Sequence, residues 1–466
     1  MTSAGQQKTI GELKASSYRV VPVREELRNN LIAKIKAEEI VFPGIIGFDQ
    51  TVIPQLENAI LAGQDVILLG ERGQAKSRLI RSLTTLLDDF IPKIAGCEIN
   101  DNPYAPICRA CLNLVAEQGD ETEIEWLVPE DRYSEKLATP DISIADLIGE
   151  IDPIKVAEGR HLSDELVIHY GLVPRTNRGI FCINELPDLA ERIQVGLFNL
   201  MEERDIQIKG YRIKLPLDIY VVSTANPEDY TNRGRIVTPL KDRYGSQIHT
   251  HYPKTNQDEM IIMEQERTRF PDEDRVVVPD YMKEILAEIT AQARQSSEIN
   301  QRSGVSVRVS ISNYETLLGN ALRRSITHGD DWVCPRTSDL AYIVASFSGK
   351  IELETFEEGR ESRVTDDLTR RGVLRIFGNY FEVEELEDVV TAFDLGEAVE
   401  IGSEKRASDY PAIMEKVDGM AAAVKKLTSD QRPEVVASAV EFVLEGLHLN
   451  RRLNCERTEV GSIYRR

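Results

Sequence analysis

One segment constrains this chain more than any other: Gly70-Glu71-Arg72-Gly73-Gln74-Ala75-Lys76-Ser77. It follows directly on the apolar run Asp65-Val66-Ile67-Leu68-Leu69. It leads into a stretch with Leu79, Leu83, Leu86, Leu87 and Phe90 apolar, so the order is strand, loop, helix. A phosphate-cradling P-loop reads Gly, four residues, Gly, Lys, then Ser or Thr. Here Ala75 stands in place of the second motif glycine, and it is small enough to let backbone N–H groups approach a phosphate. Those amides and the helix N-terminus supply an anion site. Lys76 then faces the β- and γ-phosphates and Ser77 ligates Mg²⁺. ATP and Mg²⁺ are the expected cofactors. The bland alternative is a glycine-containing turn before a surface helix.

Two further strands weigh against that alternative. Gly179-Ile180-Phe181-Cys182-Ile183 is apolar and ends in Asn184-Glu185. This is the form of a Walker B strand, in which Glu185 orients and activates the attacking water. Asn184 stands where an aspartate usually holds Mg²⁺ through its water shell. Asparagine accepts a hydrogen bond from such a water but carries no charge, so Mg²⁺ binding is expected to survive in weakened form. The third strand, Ile219 to Thr224, runs into Thr224-Ala225-Asn226-Pro227. A polar residue there, Asn226, reaches a γ-phosphate or its attacking water. Strands alternating with helices from Ile45 to about Pro253 predict a mainly parallel sheet flanked by helices, with ligands at the strands' carboxyl ends.

Around this core the chain divides, on its sequence, into four stretches. Residues 1–41 are a polar lead-in ending in a helix over Glu25–Glu39, with Leu27, Leu31, Ile32 and Ile35 on one face. Residues 42–253 are the α/β nucleotide-binding domain, 254–347 a helical lid, and 348–466 an acidic, mostly helical region. In the last, Pro433 starts a helix that aligns Val436, Val440, Val443 and Leu447.

These motifs together resemble the AAA+ ATPases of the MoxR and magnesium-chelatase I-subunit (ChlI/BchI-like) clade. The resemblance rests on the alanine before Lys76 and on Pro174-Arg175-Thr176-Asn177-Arg178-Gly179 ahead of the Walker B strand. It rests also on Thr224-Ala225-Asn226-Pro227-Glu228 and on Leu240-Lys241-Asp242-Arg243-Tyr244. It spans roughly Phe42 to Arg324. It implies that Asn226 is sensor 1 and that Arg243 is an arginine finger reaching a neighbouring subunit's ATP, where it stabilises developing phosphoryl charge. It places Arg308 as the sensor 2 arginine of the lid. It further implies a hairpin inserted before sensor 1, at Asp205–Leu215, and an insertion into the second core helix at Asp146–Asp152. The expected assembly is a homo-oligomeric ring, a hexamer, acting on a von Willebrand A domain protein or a chelatase partner subunit.

Cys97, Cys108 and Cys111 cluster in the sequence. The two-residue spacing of Cys108 and Cys111 lets both thiolates reach one tetrahedral metal, and Cys97 offers a third ligand. No fourth ligand is evident nearby, with His161 or a water as candidates. Structural Zn²⁺ and free thiols both remain open. An iron–sulfur cluster normally needs four cysteines. His249 and His251 alternate on an expected strand and are read as facing solvent rather than metal.

Composition restricts the function classes. With 56 basic and 78 acidic residues the net charge is −22, which opposes nucleic acid as the main partner. This disfavours the DNA-acting alternatives, a helicase or a σ54-type transcription activator, whose Gly-Ala-Phe-Thr-Gly-Ala loop is absent. No apolar run approaches the roughly 18 residues of a membrane span, and the first thirty residues lack a secretory apolar core. A cytoplasmic location with reduced cysteines is expected. Four functions remain to be weighed: a motor that remodels a partner protein, the ATPase subunit of a magnesium chelatase, a DNA-acting protein, and a nucleotide-binding scaffold with little turnover.

Overall fold

The computed structural model describes every residue except 1–6, 153, 155–156, 158–164, 204, 207–214, 227–233, 272, 302, 355–358 and 459–460. The chain forms two compact units, Met1–His251 and Tyr252–Arg466.

The first unit is built on a five-stranded, wholly parallel sheet. Its strands are β1 (Val66–Leu69), β2 (Tyr133–Leu137), β3 (Gly179–Asn184), β4 (Ile219–Ala225) and β5 (Ser246–His249), in the spatial order β5-β1-β4-β3-β2. The three strands read from the sequence are its centre. β1, β3 and β4 are buried along their whole length, as parallel strands covered on both faces must be. Side chains alternate between two cores. Ile67, Leu69, Phe181, Ile183 and Val221 enter one, and Val66, Leu68, Ile180, Cys182, Tyr220 and Val222 enter the other.

The second of these cores also takes in the N-terminal lead-in. Pro22 caps a helix over Val23–Lys36, and its Val23, Leu27 and Leu31 are fully buried there. Each such leucine contributes about 1.5–3 kcal/mol. Ile35, expected on the same face, is exposed, because it lies in the last turn of the helix, which leaves the core. Phe90 is exposed as well. The helix after the P-loop is α-helical over Lys76–Ser82 and tightens to a 3₁₀ turn over Leu83–Leu86, ending before Phe90.

Residues 146–152 form the end of a short helix, Ile144–Leu147, and a strand, Gly149–Ile151, paired antiparallel with Ile168–Tyr170. Only the base of the expected 205–215 hairpin falls among the described residues, where Asp205–Ile206 pairs antiparallel with Leu215–Pro216.

In the second unit, residues 254–347 and 348–466 share one core. The helix Pro433–Leu449 runs through it with Val436, Val440, Val443 and Leu447 all buried. Tyr281 stacks on Phe442 at 4.5 Å. Gly446 is required here, since a Cβ would lie 1.9 Å from the Phe377 ring. The C-terminal region is not only helical. Val399–Ile401, Asn454–Arg457 and Ser462–Arg465 form a three-stranded antiparallel sheet with the last strand in the middle. These strands are three or four residues long, too short for a period-2 pattern to stand out in the sequence. Among the described residues, no helix is long and apolar enough to cross a membrane.

Candidate nucleotide site

Parallel strands deliver their carboxyl ends to one edge of the sheet. At that edge β1 runs into Gly70, β3 into Glu185, β4 into Asn226 and β5 into Thr250. The loop Gly70–Ala75 is shaped by two positive-φ residues, Gly73 at 74° and Ala75 at 54°. Ala75 therefore occupies a left-handed conformation that glycine adopts without strain and alanine holds at about 1–2 kcal/mol. Gly70 is fixed by space: a Cβ would lie 2.0 Å from Thr250 Oγ1 and 2.2 Å from Gln74 Oε1. Gln74 is buried, accepting from Glu71 N at 3.1 Å and from Thr250 Oγ1 at 2.7 Å. Glu71 is half-buried and Arg72 exposed.

The Lys76 ammonium lies inside the loop. It donates to the carbonyls of Gly70 and of Glu71, the latter at 2.7 Å, and to Asn226 Oδ1 at 2.8 Å. The P-loop lysine and the polar residue ending β4 thus meet, although 150 residues separate them. Ser77 is half-buried at the second position of the helix Lys76–Ser82. A cation in a glycine-shaped loop, with the loop amides and a hydroxyl beside it, fits a nucleotide phosphate with Mg²⁺.

Glu185 sits at φ 55° and ψ 48° immediately after β3, and its N–H donates to Thr224 Oγ1 at 2.9 Å. Arg178, just before β3, is also left-handed at 61°. Of the two, Glu185 lies at the sheet edge that carries the Gly70–Ser77 loop, and strained non-glycine backbone there is the kind of outlier that functional sites retain.

Asn184 is buried and hydrogen-bonded through both amide atoms. Its Oδ1 accepts from Thr224 Oγ1 at 3.3 Å, and its Nδ2 donates to Glu135 Oε1 on β2. Glu135 also accepts from Arg81 Nε at 2.8 Å, Arg81 Nη2 at 3.0 Å and the Tyr133 hydroxyl at 2.9 Å. Burial raises the Glu135 pKa, but the bonds from Arg81, Tyr133 and Asn184 outweigh it and hold the carboxyl below its usual range. The negative charge missing at position 184 is therefore present on the neighbouring strand. Asn184→Asp would set two carboxylates against each other in place of a hydrogen bond. We expect it to destabilise the fold by about 1–3 kcal/mol near neutral pH. Adding Glu135→Gln, which exchanges amide and carboxylate, should restore most of the loss in thermal unfolding.

Arg243 ends the helix Thr238–Arg243. Its guanidinium contacts Glu202 Oε2 (Nε at 3.1 Å), donates to Pro239 O at 2.7 Å, and lies over the Phe198 ring at 4.7 Å. Tyr244, the next residue, is buried with its hydroxyl 2.5 Å from Ser223 Oγ on β4, so the arginine-bearing segment is bonded to the strand that leads into Asn226. Arg308 belongs to the second unit, where it opens the helix Arg308–His328 and is exposed. Pro227 and Glu228 fall outside the described residues. His249 is exposed as expected, whereas His251 is half-buried, with Nε2 2.7 Å from Thr51 Oγ1 and its ring edge-on to Phe48.

The Cys97, Cys108 and Cys111 thiols converge, and a fourth donor joins them. It is Asp101; His161 lies outside the described residues. Sequence reasoning missed Glu135, Thr250 and Asp101. Glu135 stands in the polar stretch Tyr133-Ser134-Glu135-Lys136-Leu137, where nothing marks it, but Asp101 lies within the cysteine segment itself.

No family model matches the chain. Curated relatives do. The magnesium-chelatase subunit ChlI of Nostoc sp. is 27% identical over 242 residues, which are 49% of this chain and 59% of that protein. The ChlI subunit of Synechocystis sp. is 26% identical over 257 residues, 52% of this chain and 65% of that protein. The ChlI homolog of Methanocaldococcus jannaschii is 27% identical over 215 residues, 44% of this chain and 53% of that protein. The chain thus spans less than two thirds of the length of these relatives. Among solved structures, the BchI–BchD complex of magnesium chelatase matches with a TM-score of 0.36 at 18% identity, over 70% of this chain and 99% of that one. The motifs, the order of the parallel strands and the curated relatives agree: the chain resembles the AAA+ I subunits of magnesium chelatase, at 24–27% identity over 49–58% of its length.

Proposed function

We propose that this chain is an ATPase that works as one subunit of a homo-oligomeric ring and uses hydrolysis to remodel or activate a partner protein. The observation that carries the proposal is the meeting of Lys76 and Asn226 inside the Gly70–Ser77 loop, one strand away from Glu185. Backbone amides of Gly70 to Ser77 and the Lys76 ammonium bind the phosphates. Ser77 and Asn184 would hold Mg²⁺, Asn184 through a water, and the ion would neutralise charge on the β- and γ-oxygens. Glu185 takes the proton from the attacking water, and Asn226 orients that water or the γ-phosphate. Arg243 serves the neighbouring subunit's site, exchanging the Glu202 carboxylate for phosphate oxygens; the sensor 2 role of Arg308 rests on the resemblance alone.

A second reading is favoured by the names of the relatives. The ring would be the ATPase component of a magnesium chelatase, driving Mg²⁺ insertion into a porphyrin held by a different subunit. The partner is then a chelatase subunit; in the first reading it is a polypeptide such as a von Willebrand A domain protein. The acidic balance leaves DNA-acting roles behind both. A cytoplasmic location fits either reading.

The test is complementation between dead subunits. Lys76→Ala cannot grip triphosphate and Arg243→Ala cannot assist next door, so each alone should lose at least about 100-fold in phosphate release. Mixed, they should regain a measurable share, because some interfaces pair an intact loop with an intact arginine. Proven co-assembly without any regained turnover would remove the shared-site reading. Recovery of a porphyrin-binding partner on a Glu185→Gln trap would select the chelatase.

A further inference from the structure

The segment from Ala95 to Cys108 has little regular structure, yet much of it is buried. Cys97, Asp101, Cys108 and Cys111 are all buried, and one ligand-type atom from each lies within 4.8 Å of the other three. A tetrahedral zinc with Zn–S of about 2.3 Å holds its sulfurs about 3.8 Å apart, so the set needs to contract by at most about 1 Å.

The surroundings are arranged for anionic sulfur. Cys97 Sγ accepts the Asp101 N–H at 3.4 Å, and Cys108 Sγ accepts the Cys111 N–H at 3.3 Å while capping the helix Arg109–Gln118. The Asp101 carboxylate is divided in its duties. Oδ2 accepts the Cys108 N–H at 2.9 Å, which fixes its orientation. Oδ1 makes no hydrogen bond although Asp101 is 0% exposed. An orphaned buried carboxylate oxygen among three thiols calls for a ligand, and a divalent cation also removes the cost of burying their charge.

We propose that Cys97, Asp101, Cys108 and Cys111 form a tetrahedral site for a structural zinc ion. Three sulfurs and one carboxylate oxygen suit zinc and leave no open position for catalysis. The ion ties the turn after the strand Ile91–Ile94 to the start of the helix Arg109–Gln118. The same loop is bonded to the approach to β3, through Asn100 Nδ2 to Arg175 O at 2.9 Å and Asn177 Nδ2 to Ile99 O at 3.1 Å. Zinc therefore braces the loop against the strand that carries Glu185. The site is independent of the nucleotide reading.

The full-length chain, purified without added metal, should contain about one zinc per chain by elemental analysis. Stripped with a chelator and given Co²⁺ alone, it should show thiolate-to-cobalt charge-transfer absorption and the intense visible bands of a tetrahedral ion. Asp101→Asn should weaken zinc retention against a competing chelator by about 10- to 100-fold, while Asp101→Cys, which keeps four ligands, should retain it. Zinc below about one tenth per chain together with a cobalt spectrum lacking the charge-transfer band overturns the site. So does iron in place of zinc, or unchanged zinc retention in Asp101→Asn. The cobalt spectrum is read on the wild-type sequence, so it stands even where a variant fails to fold.

Discussion

Glu185→Gln should lower ATP hydrolysis by about 100- to 10,000-fold and leave nucleotide affinity within about threefold. The substitution is isosteric. It keeps the backbone N–H bond to Thr224 and the left-handed turn that aims the side chain, but a neutral amide cannot take a proton from water. Single-turnover phosphate release and titration with a fluorescent nucleotide separate the two quantities. Lys76→Ala should behave in the opposite way, losing affinity first, because the ammonium that occupies the loop is the proposed phosphate ligand. Wild-type turnover in Glu185→Gln would move the base elsewhere. The other carboxylate beside this strand end, Glu135, is already committed to Arg81, Tyr133 and Asn184.

The largest effect on stability is expected far from the phosphates, at Arg132. Its guanidinium is 1% exposed and grips Glu26 through two bonds of 2.6 Å, while Nε donates to Arg178 O at 2.8 Å. The pair joins the N-terminal helix Val23–Lys36 to the residues that precede β2 and β3. Arg132→Met would strand the Glu26 carboxylate in the interior with the Asp88 N–H as its remaining recorded partner. We expect a loss of about 3–5 kcal/mol. Replacing both residues, as Glu26→Leu with Arg132→Met, should recover most of it, since the desolvation penalty disappears with the charges. Urea unfolding followed by Trp126 fluorescence in a Trp332→Phe background reports on the first unit alone. A double variant as unstable as the single one would show that the guanidinium contributes through its packing.

Much of the candidate site was legible in the sequence because its parts are local. A P-loop is eight consecutive residues, and a Walker B end is a buried strand plus two. Periodicity and glycine placement therefore locate β1, β3 and β4 and the residues at their ends. β2 was not legible: Tyr133-Ser134-Glu135-Lys136-Leu137 is half polar, and it becomes a strand because β3 offers it an open edge. The helix Pro433–Leu449 was readable from its repeating valines, whereas the short strands that complete the C-terminal region exist only through pairing with one another.

By itself, then, the sequence located the Gly70–Ser77 loop, the buried strand that ends in Asn184-Glu185 and the class of fold, since each follows from neighbours along the chain. Tertiary structure alone decided that Lys76 meets Asn226, that the charge absent from Asn184 returns as Glu135, and that Asp101 completes the cysteine set. Those pairings depend on strand order and on how one loop folds back, and neither spacing nor composition encodes a distance between residues that only packing brings together.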